Sequence, residues 1–84
     1  MIPGAEVAIV DGAEVLDTDS VRLLITEAAG WHHVAQLSVK SHDRPSARHA
    51  YRMRETLSRY VAARSHFSFH EVRARAIIAA RFLD

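Results

Sequence analysis

The chain contains no cysteine, so disulfides, thiolate zinc sites and cysteine nucleophiles are excluded, and the default compartment is the cytoplasm. No apolar run approaches the roughly 18 residues that cross a bilayer, and the N-terminus lacks the basic start and apolar stretch of a secretion signal. A soluble, unprocessed protein with no membrane partner is therefore expected. Glycine and proline are scarce, at 3 and 2 residues, and no linker, internal repeat or low-complexity run is visible. Lysine is nearly absent too: Lys40 stands alone against ten arginines, which suits bidentate phosphate contacts but equally reflects coding bias.

What remains is the composition of a foldable globular domain. At 84 residues the chain is one domain, able to bury roughly 60% of its unfolded surface. Its 49% hydrophobic and 25% charged content lies well above the range in which ordering entropy keeps a chain disordered. The net charge of +1 conceals an uneven layout. Residues 1–39 carry six acids against Arg22 alone, a balance of −5, whereas residues 40–84 carry ten bases against four acids, a balance of +6. Either one half forms a charged binding surface or the two neutralise each other where they pack.

Local patterns divide the chain at nearly the same point. In AEVAIVDGAEVL, Asp11-Gly12 between two β-rich runs predicts a β-hairpin, because a two-residue type I′ turn needs positive φ at both central positions. Beyond it, Val21, Leu23 and Ile25, then Trp31, His33, Ala35, Leu37 and Val39, alternate with period two, which predicts further strands over 21–27 and 31–39. A competing helical reading places Val21, Leu24, Ile25 and Ala28 on one face, with Ser20 as cap and Ala29-Gly30 as helix end.

After SHDRP the period changes to 3.6. Ala47, Ala50, Met53, Leu57, Tyr60 and Val61 gather on one side of a helix over about 45–63, opposite Arg48, Arg52, Glu55 and Arg59. Ser68 and Glu71 form a capping box that starts a second helix at Phe69, running to about Phe82. The expected fold is thus α+β: an acidic, β-rich part over 1–40 forming an antiparallel sheet of three or four strands, covered by a basic two-helix part over 44–84.

Two surfaces emerge as candidate binding sites. Arg44, Arg48, Arg52 and Arg59 form a cationic stripe, and like charges at i, i+4 repel unless an anionic partner faces them; Glu55 is expected to satisfy part of it through Arg59. The second helix is apolar on two sides, Phe69, Val72, Ala76, Ala79, Ala80 and Leu83 on one and Ala74, Ile78 and Phe82 on the other, which predicts a homodimer or hydrophobic partner contact through Ile78 and Phe82.

The six histidines, His32, His33, His42, His49, His66 and His70, form no recognisable metal or acid/base set. His66 falls outside the helix that carries His70, and His32 and His33 would point to opposite faces of a strand. Trp31 reads as a core anchor. Neither cofactor, metal nor catalytic set is expected.

The stretch FSFHEVRARA resembles the His-x-x-Arg box of tyrosine recombinases, whose histidine and arginine contact the scissile phosphate; the matching positions are His70 and Arg73. That family also needs a tyrosine nucleophile downstream, whereas Tyr51 and Tyr60 both precede Arg73, so the resemblance implies phosphate affinity at most. The resulting expectation is a non-enzymatic module, a protein-binding adaptor or inhibitor of the kind encoded by phages and mobile elements. Nucleic-acid binding through the arginine stripe is the first alternative, and a small nuclease or phosphate-transfer enzyme using His70 and Arg73 the second.

Overall fold

A computed structural model describes residues 8–10 and 13–83 of the chain, with side chains from residue 15 onward. Three helices make up the domain: α1 (Thr18–Lys40), α2 (Arg44–Ala63) and α3 (Phe69–Ala80). A ribbon of two three-residue strands precedes them, β1 (Ala8–Val10) and β2 (Ala13–Val15), paired antiparallel with Ala8 opposite Val15 and Val10 opposite Ala13. Residues 11 and 12, where the sequence places the hairpin turn, lie outside the described residues.

The expected α+β architecture is therefore corrected to an all-α, three-helix fold. Beyond the two-stranded ribbon no further strand is present among the described residues, because 21–27 and 31–39, assigned to strands, belong to one 23-residue helix. Its start is set by Asp17, not Ser20: the Asp17 carboxylate accepts the Ser20 N–H at 2.7 Å. Val21, Ala28, Ala29, His32 and Ala35 then face inward, a 3.6-residue spacing that competed with the period-two pattern and prevailed. Gly30 does not end the helix. The termination lies at His42, which adopts φ 59°, while the N–H groups of His42 and Asp43 reach back to Val39 O (3.1 Å) and Ser38 O (2.8 Å). This is a Schellman closure with histidine where glycine usually sits.

Asp43 caps α2 at once, accepting the Ser46 N–H at 3.2 Å, with Pro45 in the first turn, so α1 and α2 are joined by three residues and run antiparallel. Their facing positions are small: Ala28, Ala29 and Ala35 on α1, and Ala47, Ala50 and Ser58 on α2, all buried. Such residues let two helix backbones approach closely and fill the seam without long side chains. The Ser58 hydroxyl, fully buried, is satisfied by donating to Arg54 O at 2.8 Å.

The expected start of the last helix is found: Ser68 accepts the Glu71 N–H at 3.1 Å while Glu71 Oε1 accepts the Ser68 N–H at 3.2 Å. Its regular turns stop at Ala80, two residues earlier than the periodicity suggests. At the open end of the bundle, Val21, Val61 and Val72, one from each helix, form the larger-residue core, joined by Leu16, Leu24, Ile25, Ala62 and Phe67. The Leu16 N–H bonds Arg64 O at 2.7 Å, which ties the segment after β2 to the end of α2.

Candidate functional site

A polar cluster crosses all three helices. Arg54 on α2 donates from Nη1 to His32 Nδ1 of α1 at 2.7 Å and from Nη2 to Glu55 Oε1 at 2.9 Å, and its guanidinium lies 4.9 Å from the centre of the Tyr51 ring. Glu55 Oε1 also lies 3.6 Å from Arg73 Nη1 of α3, whose Nη2 is 3.2 Å from His70 Nδ1. Because Nδ1 of His32 accepts from a guanidinium, the ring is neutral and its proton sits on Nε2. Burial, then the charge of Arg54, then His33, push its pKa below the ordinary 6.5.

The sequence reading missed this cluster. Glu55 was expected to pair with Arg59; instead it serves Arg54 and Arg73, and both ion pairs found among the described residues lie inside the basic half. Arg54 Nε and Glu55 Oε2 are buried without a hydrogen-bond partner. With His32 only 7% exposed, the cluster's inner end offers no approach to a substrate, and its effect is to lock α1 and α3 onto α2.

The expected arginine stripe is present on the outer face of α2. Arg44, Arg48 and Arg52 are exposed along it, whereas Arg59 lies over the Phe69 ring at 5.4 Å, with Arg73 over the same ring at 5.2 Å. Only three of the four guanidinium groups therefore face solvent unengaged by a ring.

Ile78 and Phe82 lie apart from that stripe, 53% and 82% exposed, on the α1–α3 side of the molecule. Together with Ile25, Thr26 and Ala79 they line a hollow of about 530 Å³ whose charged members are Arg22 and Arg75. A second cleft, of about 420 Å³, shares Arg22, Ile25 and Arg75 and continues past Val21 and Phe67 to Val15, Leu16 and His66. The two form one apolar groove with a cationic rim and, among the described residues, no carboxylate in its lining. Arg75 is steadied there by its contact with Phe67, 4.6 Å from the ring centre. Sequence reasoning found Ile78 and Phe82 but not Arg22, Ile25 or Arg75, because residues three apart, such as Arg22 and Ile25, share a face on a helix but fall on opposite faces of a strand.

The remaining histidines and aromatics have ordinary places. His32 and His33 are successive residues of a helix rather than opposite faces of a strand; His66 lies outside α3, as expected. Trp31 meets the His49 ring edge-on at 5.5 Å, pinning α1 to α2. His70 and Arg73 do share a face of α3, but the tyrosines face other work: Tyr51 packs on His32 and Arg54, and Tyr60 lies beneath Arg64 at 3.9 Å. Among the described residues no three metal-ligating side chains converge, and no helix is long and apolar enough to cross a membrane. Comparison with protein-family models, curated proteins and solved structures finds no match to this chain.

Proposed function

We propose that this domain is a non-enzymatic, cytoplasmic protein-binding module, an adaptor or inhibitor, whose α1–α3 groove receives an acidic amphipathic segment of a partner protein. One observation carries the reading: the groove combines exposed Ile78 and Phe82 with Arg22 and Arg75 at its rim and, among the described residues, has no acidic lining residue. An apolar helix face fits such a trough, and carboxylates flanking that face would meet the two guanidinium groups. The rim charges set orientation and encounter rate; Phe82, large and four-fifths exposed, is the anchor expected to carry most of the affinity.

Selection of a random peptide library on the intact protein tests this. Enriched peptides should combine an apolar helical face with Asp or Glu, and should lose about tenfold or more in affinity on Phe82→Asp or Arg75→Glu while ignoring Arg52→Ala. Enrichment of basic peptides, or binding indifferent to both groove variants, would remove the proposal.

A second reading rests on Arg44, Arg48 and Arg52, spaced four residues and so about 6 Å apart on one exposed face. Three neutralised phosphates would give a log–log salt slope of about −3 with duplex DNA, reduced by about one for each arginine replaced by alanine. A flat salt response would leave the groove as the interaction surface.

A further inference from the structure

The pole of α1 that faces away from the core carries an apolar stripe, flanked by exposed Thr26 and Glu27. At 100° per residue, Leu23, Gly30, Val34 and Leu37 cluster within about 60° of one another, roughly opposite Val21, Ala28, His32 and Ala35. Leu23 is 71% exposed, Val34 43% and Leu37 48%. A helix with apolar residues on two opposite faces is covered on both when its partners are present.

Gly30 gives the second face its meaning. A glycine inside a helix is less favourable than alanine by about 1 kcal/mol, and no packing among the described residues accounts for it: a Cβ built at Gly30 would have none of them within 4 Å. The missing side chain points outward, at the centre of the exposed stripe. A bare backbone in that position lets a second helix cross closely.

We infer that the covering helix is α1 of a second copy, crossing antiparallel with its two-fold axis at Gly30. The stripe is self-complementary about that residue. Leu23 and Leu37 lie seven positions on either side, so an antiparallel pairing sets Leu23 of one copy beside Leu37 of the other, twice. Charge selects the same direction. Asp19 and Lys40, exposed at opposite ends of α1, come together between copies in the antiparallel arrangement, while a parallel one would oppose Asp19 to Asp19 and Lys40 to Lys40. The antiparallel helix dipoles add to this preference. The surface is the pole of α1 rather than its α3 flank; Leu23, Gly30, Val34 and Leu37 line no part of the groove assigned above to a partner segment.

Sedimentation velocity on the full chain, from micromolar to millimolar concentration, reads the proposal directly. The wild type should pass from monomer to dimer; a monomer throughout overturns it. Gly30→Ala should act in opposite directions on two measurements, raising the melting temperature of the dilute monomer by a few degrees and weakening the dimer about tenfold. Leu23→Asp and Leu37→Lys, both at exposed positions, should each abolish self-association with the helical circular dichroism unchanged. Mixed, the two variants should form a heterodimer, since an antiparallel pairing sets the introduced carboxylate against the introduced ammonium at one end and leaves leucine against leucine at the other. Dimers that survive both single substitutions, or a mixture that stays monomeric, would overturn the assignment.

Discussion

α1 and α2 are of similar length, 23 and 20 residues, and meet along a seam of buried alanines, yet their outer faces are opposites. The outside of α2 carries Arg44, Arg48 and Arg52; that of α1 carries Leu23, Val34 and Leu37 around a glycine. Shared inner faces show that one packing rule, close approach through small residues, builds the hairpin of helices. The divergent outer faces lie outside that seam. On the readings proposed above, α2 meets solvent or an anion there and α1 an apolar surface.

That contrast can be broken from the inside first. Ala50→Leu places a large side chain in the seam at a fully buried position. It should destabilise by about 2 kcal/mol, lowering the melting temperature by roughly 10 °C in a thermal scan. A loss under about 2 °C would show that the helices have room to separate.

The link between α1 and α2 sharpens it next. His42 holds a left-handed conformation that glycine adopts without strain, so His42→Gly should stabilise by up to about 1 kcal/mol in urea unfolding. An unchanged midpoint would mean that the histidine ring contributes as much as its backbone strain removes.

The polar tie between the same helices should appear in pH. The depressed pKa of His32 means the folded state holds a proton there less tightly than the unfolded chain. Above about 6.5 both states are neutral and its contribution is complete; as pH falls from there through the lower folded value, stability is lost. His32→Gln keeps an acceptor for Arg54 without titrating, so its stability should vary less between about pH 7 and pH 5. Equal slopes in the two proteins would remove His32 as the cause.

The smallest effect belongs to the outer face of α2. Arg48→Gln, with like-charged neighbours at both i−4 and i+4, should raise stability by a few tenths of a kcal/mol at low salt, and the gain should vanish in high salt. A loss instead would identify a contact that repulsion does not describe.

Much of this was open to sequence reasoning, though unevenly. The approximate start of α2 and the capping box of α3 follow from Pro45 after its polar break and from Ser68 and Glu71, whose signals act over three or four residues. The helix over 18–40 did not follow, for two local reasons. Its apolar residues, Leu23, Ile25, Trp31, Leu37 and Val39, alternate along part of the chain because α1 is apolar on both poles, and such a helix imitates a strand. Its closing turn uses His42 where a stop signal would be glycine, while Gly30, which looks like one, sits in mid-helix. The mistaken period hid Arg22, Ile25 and Arg75 as neighbours and His32 as the partner of Arg54. One trace was visible all along: Leu23, Gly30 and Leu37 recur at seven-residue intervals.

The amino-acid sequence by itself determined the capping box of α3, the arginine face of α2, the two apolar sides of α3 and the charge difference between the halves, since each depends on residues close together along the chain. Tertiary structure alone decided that 18–40 is helical, that Glu55 serves Arg54 and Arg73, and that Ile78 and Phe82 share a groove with α1. Those outcomes depend on which segment packs against which, and burial against α2 and α3 outweighs the weak local preferences of a segment whose pattern fits a helix and a strand alike.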